Sequence, residues 1–295
     1  MSPIAIAAIV MLLLLFLNIP VFASVTGACL VYAVANPASA ISAMLAVQRE
    51  ISGMQSVTML AIPFFVATGA LMNYCGITER MLKFCKVLTG HMFGGLGQVN
   101  IVLSTLMGGM SGSSLADAAM EAKLLVPDMR KSGYPNGFAS AITAASSMIT
   151  PLIPPGIAAI IYGSITNTSI GRLFVAGIVP AVILCAAMMT VVSRYSRSHG
   201  IPRLRETRAS GAELWEAFKP AILPLCLPII IIGGIRLSFF TPTEAGAIAI
   251  FYALLLGILY KEIRLDNILA CIKETVATTA SIMLIVGAAT CFSWI

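Results

Sequence analysis

Apolar residues run from Ile4 to Leu17, break at Asn18-Ile19-Pro20, and resume from Val21 to Ala35. One long kinked helix or two short spans would satisfy this pattern, because a proline removes a backbone donor and can bend or end a helix. Met1 to Phe16 holds no Lys or Arg, so the basic start of a removable signal peptide is missing and the stretch is expected to stay as a membrane helix. Asn36 to Gln55 is polar enough to be expected outside lipid, and Ser56 to Tyr74 is the next span, with Pro63 as a kink. From Ile77 to Leu88 the pattern changes. Ile77, Met81, Leu82, Phe84 and Leu88 recur near helical spacing, while Glu79, Arg80, Lys83 and Lys86 take other positions. This is the pattern of a helix lying in the membrane interface plane.

Residues 94–129 carry a different signal. An apolar stretch from Val99 to Met107 runs into Gly108-Gly109-Met110-Ser111-Gly112-Ser113-Ser114 and continues through Leu115-Ala116-Asp117 to Lys123. Each half is too short to cross roughly 30 Å of hydrocarbon at 1.5 Å per residue. Two short helices around a Gly/Ser tip would enter and leave on one side, a re-entrant hairpin that lipid tolerates only inside protein or around water. Residues 138–165 repeat the device: Ala141 to Met148 is helical in composition, Thr150-Pro151-Leu152-Ile153-Pro154-Pro155-Gly156 cannot continue a helix, and Ile157 to Ile165 starts again. A discontinuous span is expected there.

Leu173 to Val192 reads as an ordinary span. It is followed, in residues 194–219, by the longest polar stretch, with Arg194, Arg197, Arg203, Arg205 and Arg208. The positive-inside rule makes this loop cytoplasmic, together with the hairpin flanks at Lys123, Arg130 and Lys131. After an amphipathic stretch around Leu214 to Phe218, spans are expected from Ile222 to Ile235 and from Ala245 to Leu259. Leu265 to Thr275 reads as a second interfacial helix, and Ile282 to Cys291 opens a further apolar segment. The order resembles that at Ser56, Ile77 and Gly94, which suggests an inverted repeat. A first repeat would occupy 1–193 and the start of a second 220–295, cut short at Ile295.

Composition narrows the class. Of 295 residues 59% are hydrophobic and 10% charged, against roughly a quarter charged in soluble domains, and the mean hydropathy is +0.97. A soluble enzyme is excluded, and the lipid bilayer is the expected surroundings. The net charge of +6 is spread along the chain without an aromatic-interleaved basic block, so no nucleic-acid partner is expected. Seven single cysteines, none in a C-x-x-C, suggest buried small hydrophobes rather than a metal cluster or disulfides. No nucleophile with its base, phosphate loop or zinc motif is present, so no enzymatic activity is expected.

The candidate chemistry lies at the two helix breaks, the sequence pointer to a midplane site. At the first, Ser111, Gly112, Ser113 and Ser114 offer carbonyls, hydroxyls and amides, with a half-helix starting at Ser114. At the second, Ser146, Ser147 and Thr150 join carbonyls freed before Pro154 and Pro155. Oxygen ligands of this kind suit a hard cation such as Na⁺, and helix ends suit a carboxylate. Ser111, Gly112, Ser113, Ser146 and Thr150 are the expected Na⁺ ligands. Ser113, Ser114, Asp117, Ser147, Pro154 and Pro155 are the expected substrate contacts. The rival reading gives the Gly/Ser positions to close helix packing alone, in a scaffold or assembly protein that transports nothing. Asp117 can cap its helix or contact ion or substrate. Glu121 and Lys123 read as interfacial or paired, Arg236 as snorkelling, His91 and His199 as loop or interface residues, and Glu244 as a first-turn acid with Thr241 or Thr243 as cap.

Several of these stretches together resemble the large membrane (DctM) subunit of tripartite ATP-independent periplasmic transporters. They are Leu60-Ala61-Ile62-Pro63-Phe64-Phe65, Gly94-Gly95-Leu96-Gly97, Ser111-Gly112-Ser113-Ser114 with Ala116-Asp117, Leu125-Val126-Pro127, Ile153-Pro154-Pro155-Gly156, and Thr241-Pro242-Thr243-Glu244-Ala245-Gly246-Ala247. The resemblance implies an all-α polytopic protein of the inner membrane, with an ion-transporter-like elevator fold of inverted repeats, a re-entrant hairpin and broken helices. It further implies Na⁺-coupled uptake of a small organic acid, C4-dicarboxylate-like or a related carboxylate. The partners it implies are a small four-helix membrane subunit and a periplasmic solute-binding protein. Members of that family are longer, so the resemblance also implies that the second repeat is incomplete and that the chain is a fragment or a truncated product unable to transport alone.

Overall fold

The computed structural model describes residues 2–36 and 42–294, and among them there is helix but no strand. Two compact units are formed, one from the residues up to Leu60 together with those from Val276 on, the other from Ala61–Thr275. Among the described residues five helices are long and apolar enough to cross a membrane, or six if one bent pair counts as a single span. The chain is an all-α polytopic membrane protein.

In the first unit, α1 (Pro3–Phe16) and α2 (Val21–Ala35) are separate helices of 14 and 15 residues that pack on each other. Between them Asn18 takes φ +61°, a left-handed conformation that asparagine tolerates better than most residues. The break of 4–35 into two helices is thereby settled. Of the polar stretch Asn36 to Gln55, residues 37–41 lie outside the described residues, and the remainder contains α3 (Ala43–Met54). Glu50 on α3 accepts a 3.0 Å hydrogen bond from Thr26 on α2.

The second unit opens with α4 (Ala61–Tyr74) and α5 (Ile77–Thr89). Helix α5 is amphipathic, as its pattern predicts. Its apolar face (Ile77, Met81, Phe84, Cys85) is buried, and the helix packs against α6 (Gly95–Ser111) and the later α12 rather than presenting that face to lipid alone. Helices α6 and α7 (Ser114–Leu124) form the predicted hairpin, extended by a short α8 (Val126–Lys131). Their 17 and 11 residues correspond to about 25 and 16 Å, short of the hydrocarbon thickness. Next come α9 (Asn136–Ser146), a 3₁₀ turn at Thr150–Leu152 and α10 (Ile157–Thr166), the two halves bent by 44°. The helix is broken where the prolines required it, as a bent pair that forms either a broken span or a re-entrant loop.

Helix α11 (Ile170–Ser198) covers the expected ordinary span and continues into the basic stretch, so Arg194 and Arg197 are helical. Helix α12 (Gly211–Arg236) is continuous, and the amphipathic Leu214–Phe218 stretch is its first turns rather than a separate element. Helix α13 (Pro242–Leu259) starts with a capping box in which Thr241 Oγ1 accepts from Glu244 N and Glu244 Oε2 accepts from Thr241 N, which settles the cap on Thr241. The expected interfacial helix at Leu265–Thr275 and the segment beginning at Ile282 are one helix, α14 (Leu265–Trp294). No proline and a single glycine, Gly287, lie between its ends, so nothing in the chain stops it where charge thins out.

Candidate functional site

The hairpin tip is shaped by residues that leave no room. Gly112 has φ +59°, and a Cβ there would collide with the Pro155 carbonyl oxygen; a Cβ on Gly108 would lie 2.9 Å from Thr150 Cα, and one on Gly109 2.6 Å from Pro228 Cγ. Close packing requires glycine at these positions. They let the hairpin close onto the broken span, and so bring the polar residues of both together.

Helix α7 is capped by Ser113, the residue before it, whose hydroxyl accepts from Ala116 N at 3.4 Å. That leaves Asp117 free of the capping role. Its side chain is 2% exposed, and its Oδ2 accepts a 2.7 Å hydrogen bond from Thr150 Oγ1 of the broken span. One helical turn on, Glu121 is fully buried, against the expectation of an interfacial or paired residue; its Oε2 accepts from Ser104 Oγ at 2.7 Å. Ser146 Oγ lies 2.6 Å from Asn100 Oδ1 and 3.4 Å from Glu121 Oε2, and Asn100 Nδ2 donates to Thr143 Oγ1 at 3.1 Å. A continuous polar network thus joins α6, α7, α9 and the 3₁₀ turn inside the second unit.

The network lacks positive charge. Among the described residues ion pairs join Lys86 to Asp128 and Arg205 to Glu213, and no cationic side chain lies within 4 Å of Asp117 or Glu121. Asp117 Oδ1, Glu121 Oε1 and Ser111 Oγ are buried without a hydrogen-bond partner. Buried carboxylates without a counter-charge carry a large desolvation cost, and intramembrane ionisable groups mark functional sites for that reason. Carboxylate, hydroxyl and carbonyl oxygens are also the donor set that fits a hard monovalent cation.

The structure divides the sequence-predicted residues between two places. Ser146 and Thr150 lie with Asp117 in the buried network, whereas Ser111, Gly112, Ser113 and Ser114 form the tip, beside the Pro154-Pro155 break. Ser113 and Ser114 are half-buried, and Pro154 and Pro155 are buried. Ser147 is buried, and its hydroxyl donates to Ala144 O within its own helix at 2.9 Å. Sequence reasoning missed Asn100, Ser104, Thr143 and Glu121. A signal existed: Asn100 and Ser104 on α6, and Asp117 and Glu121 on α7, are each four apart on one helix, so each pair shares a face.

A multi-pass helical chain with a helical hairpin closed onto a bent helix pair, and buried acids between them, is a membrane protein with a buried polar site. Comparison with known families agrees. The family described as "Tripartite ATP-independent periplasmic transporter, DctM component" matches residues 8–295, and the chain belongs to it. This makes it a protein of the inner membrane. Among relatives, the sialic acid TRAP transporter large permease protein of Vibrio cholerae is 44% identical over 96% of this chain and 65% of its own length. The sialic acid TRAP transporter permease protein of Haemophilus influenzae is 39% identical over 99% of this chain and 47% of its own. The 2,3-diketo-L-gulonate TRAP transporter large permease protein of Escherichia coli is 39% identical over 84% and 58%. The chain thus spans about half to two thirds of the length of these relatives. Their names are those of transporter permeases and not of enzymes.

Proposed function

We propose that the chain supplies the permease part of a Na⁺-coupled importer of a small carboxylate, working with a small four-helix membrane subunit and a periplasmic solute-binding protein. The observation that carries this reading is the buried, cation-free network of Asp117, Glu121, Ser104, Ser146 and Thr150. A sodium ion held there by Asp117, Thr150 and Ser146 would meet the unpartnered carboxylate oxygen of Asp117 and hold the hairpin against the broken span. Asp117 belongs to the ion in this reading, since a buried carboxylate repels a carboxylate substrate. The substrate is left the half-buried tip hydroxyls of Ser113 and Ser114, together with Ser147 and the Pro154-Pro155 break.

Two inverted repeats, the first over 1–193 and the second beginning at 220 after a cytoplasmic loop, would let the ion-bearing block move against a scaffold as an elevator. Alternating access of this kind needs two states of comparable free energy, which a ligand shifts only by binding one better. The relatives named for sialic acid and 2,3-diketo-L-gulonate share a carboxylic acid as cargo, and this is the substrate class assigned here.

The test is uptake of radiolabelled sialic acid and of 2,3-diketo-L-gulonate into proteoliposomes holding the chain, extended by the second half that its longer relatives carry, with the small subunit and the binding protein. Uptake should require an inward Na⁺ gradient and fall by about tenfold or more in Asp117→Asn. Uptake indifferent to replacing Na⁺ by K⁺ would remove the coupling ion from this account.

A further inference from the structure

The basic stretch after α11 builds a second site, remote in sequence from the ion network. A cavity of about 340 Å³ is lined by His91 and Phe93, from the turn between α5 and α6, by Arg197 near the end of α11, and by Arg203, Glu206 and Arg208 of the loop. Arg197 and Arg203 both hold their guanidinium groups over the Phe93 ring, 4.3 and 3.9 Å from its centroid. Cation–π contacts of this kind fix a guanidinium while leaving its N–H donors free.

The surroundings are fixed as well. Arg205 N donates to Gly90 O at 3.0 Å, tying the loop to the turn after α5, while Gln98 Nε2 donates to Phe93 O at 3.3 Å and to Met189 O of α11 at 2.9 Å. The Arg205 guanidinium is spent on Glu213 at 2.9 Å, but among the described residues Arg197, Arg203 and Arg208 have no carboxylate within 4 Å. His91 Nδ1, also at the cavity, is buried without a partner. Three arginines against one glutamate leave the site with an excess of two positive charges, concentrated at one end of a candidate span.

We infer that this pocket binds a phosphate group. Guanidinium forks match the paired oxygens of a phosphate, and basic pockets at the membrane ends of helices on the cytoplasmic side take anionic lipid headgroups. The phosphate can be carried by a phospholipid headgroup such as that of phosphatidylglycerol, or be soluble, and the test separates the two.

The purified chain is analysed by native mass spectrometry after delipidation, with phosphatidylglycerol added in one arm and inorganic phosphate in the other. The variants are the double change Arg203→Gln with Arg208→Gln, and Glu206→Gln. The expected result is a retained phosphatidylglycerol, bound about tenfold or more weakly by the double variant and more tightly by Glu206→Gln. Retention of inorganic phosphate but not of the lipid, with the same dependence on the variants, keeps the site and assigns it a soluble ligand. Equal retention by all three proteins, or none of either ligand, overturns the inference. Arg203, Glu206 and Arg208 are exposed, and the gain expected in Glu206→Gln cannot arise from misfolding.

Discussion

Thr150 Oγ1 donates a 2.7 Å hydrogen bond to Asp117 Oδ2, and this bond joins the second helix of the hairpin to the broken span 33 residues further along the chain. Both residues are buried, so neither can exchange its partner for bulk water. Thr150→Val keeps the shape and removes the donor. It should lower stability by about 1–3 kcal/mol, the cost of leaving a buried acceptor unsatisfied, measured as a drop in melting temperature in detergent. An unchanged melting temperature would mean that the bond contributes nothing.

Glu121 offers a separate test of the network. Its Oε2 is the acceptor for Ser104, with Ser146 at the longer 3.4 Å. Glu121→Gln keeps an oxygen for Ser104 and removes a buried ionisable group, and it is expected to be tolerated or to stabilise the protein in the absence of Na⁺. Glu121→Leu strands the Ser104 hydroxyl as well and should be the less stable of the two. Melting curves of both variants in Na⁺-free buffer check the order.

The left-handed turn at Gly112 is expected to be sensitive to a single methyl group. Gly112→Ala adds a Cβ at φ +59°, which costs roughly 1–2 kcal/mol for an L residue, and sets that Cβ against the Pro155 carbonyl. Gly133 also has positive φ, at +87°, but nothing lies within 4 Å of its Cβ position. Gly133→Ala should therefore be milder than Gly112→Ala in the same unfolding measurement, since only backbone strain is added.

At the start of α13, Thr241→Ala removes the N-cap acceptor for Glu244 N and one donor to Glu244 Oε2. The expected loss is about 1 kcal/mol. Thr241→Ser restores it. The pair can be compared by chemical denaturation.

The breaks of the fold were legible in the sequence because glycine and proline act locally. The Gly112 turn and the proline-rich run from Thr150 to Gly156 interrupt the helices where the sequence placed the breaks, although Pro180 in α11 and Pro220, Pro224 and Pro228 in α12 are carried inside continuous helices. The pattern of α14 predicts two pieces because Asp266, Lys273 and Glu274 resemble the polar side of an interfacial helix over Leu265 to Thr275; yet charge does not end a helix. Glu121 was misread for a related reason. Beside Lys123 it looked like a surface charge, and only the partners on α6 and α9, Ser104 and Ser146, show that it faces inward. Spacing could have revealed Asn100 and Ser104 as one polar stripe, whereas the residues they meet are set by tertiary packing.

The central claim is that the buried network between hairpin and broken span holds a sodium ion, and ligand linkage tests it directly. A ligand bound only by the folded state stabilises it by about 1.4 kcal/mol at tenfold its Kd. The measurement is the melting temperature of the purified chain in detergent as Na⁺ replaces K⁺ at constant ionic strength, alongside Asp117→Asn and Thr150→Val. The account predicts a melting temperature that rises with Na⁺ in the unaltered chain and stays flat in both variants. A Na⁺ response of equal size in all three proteins, or none in the unaltered chain, would contradict it.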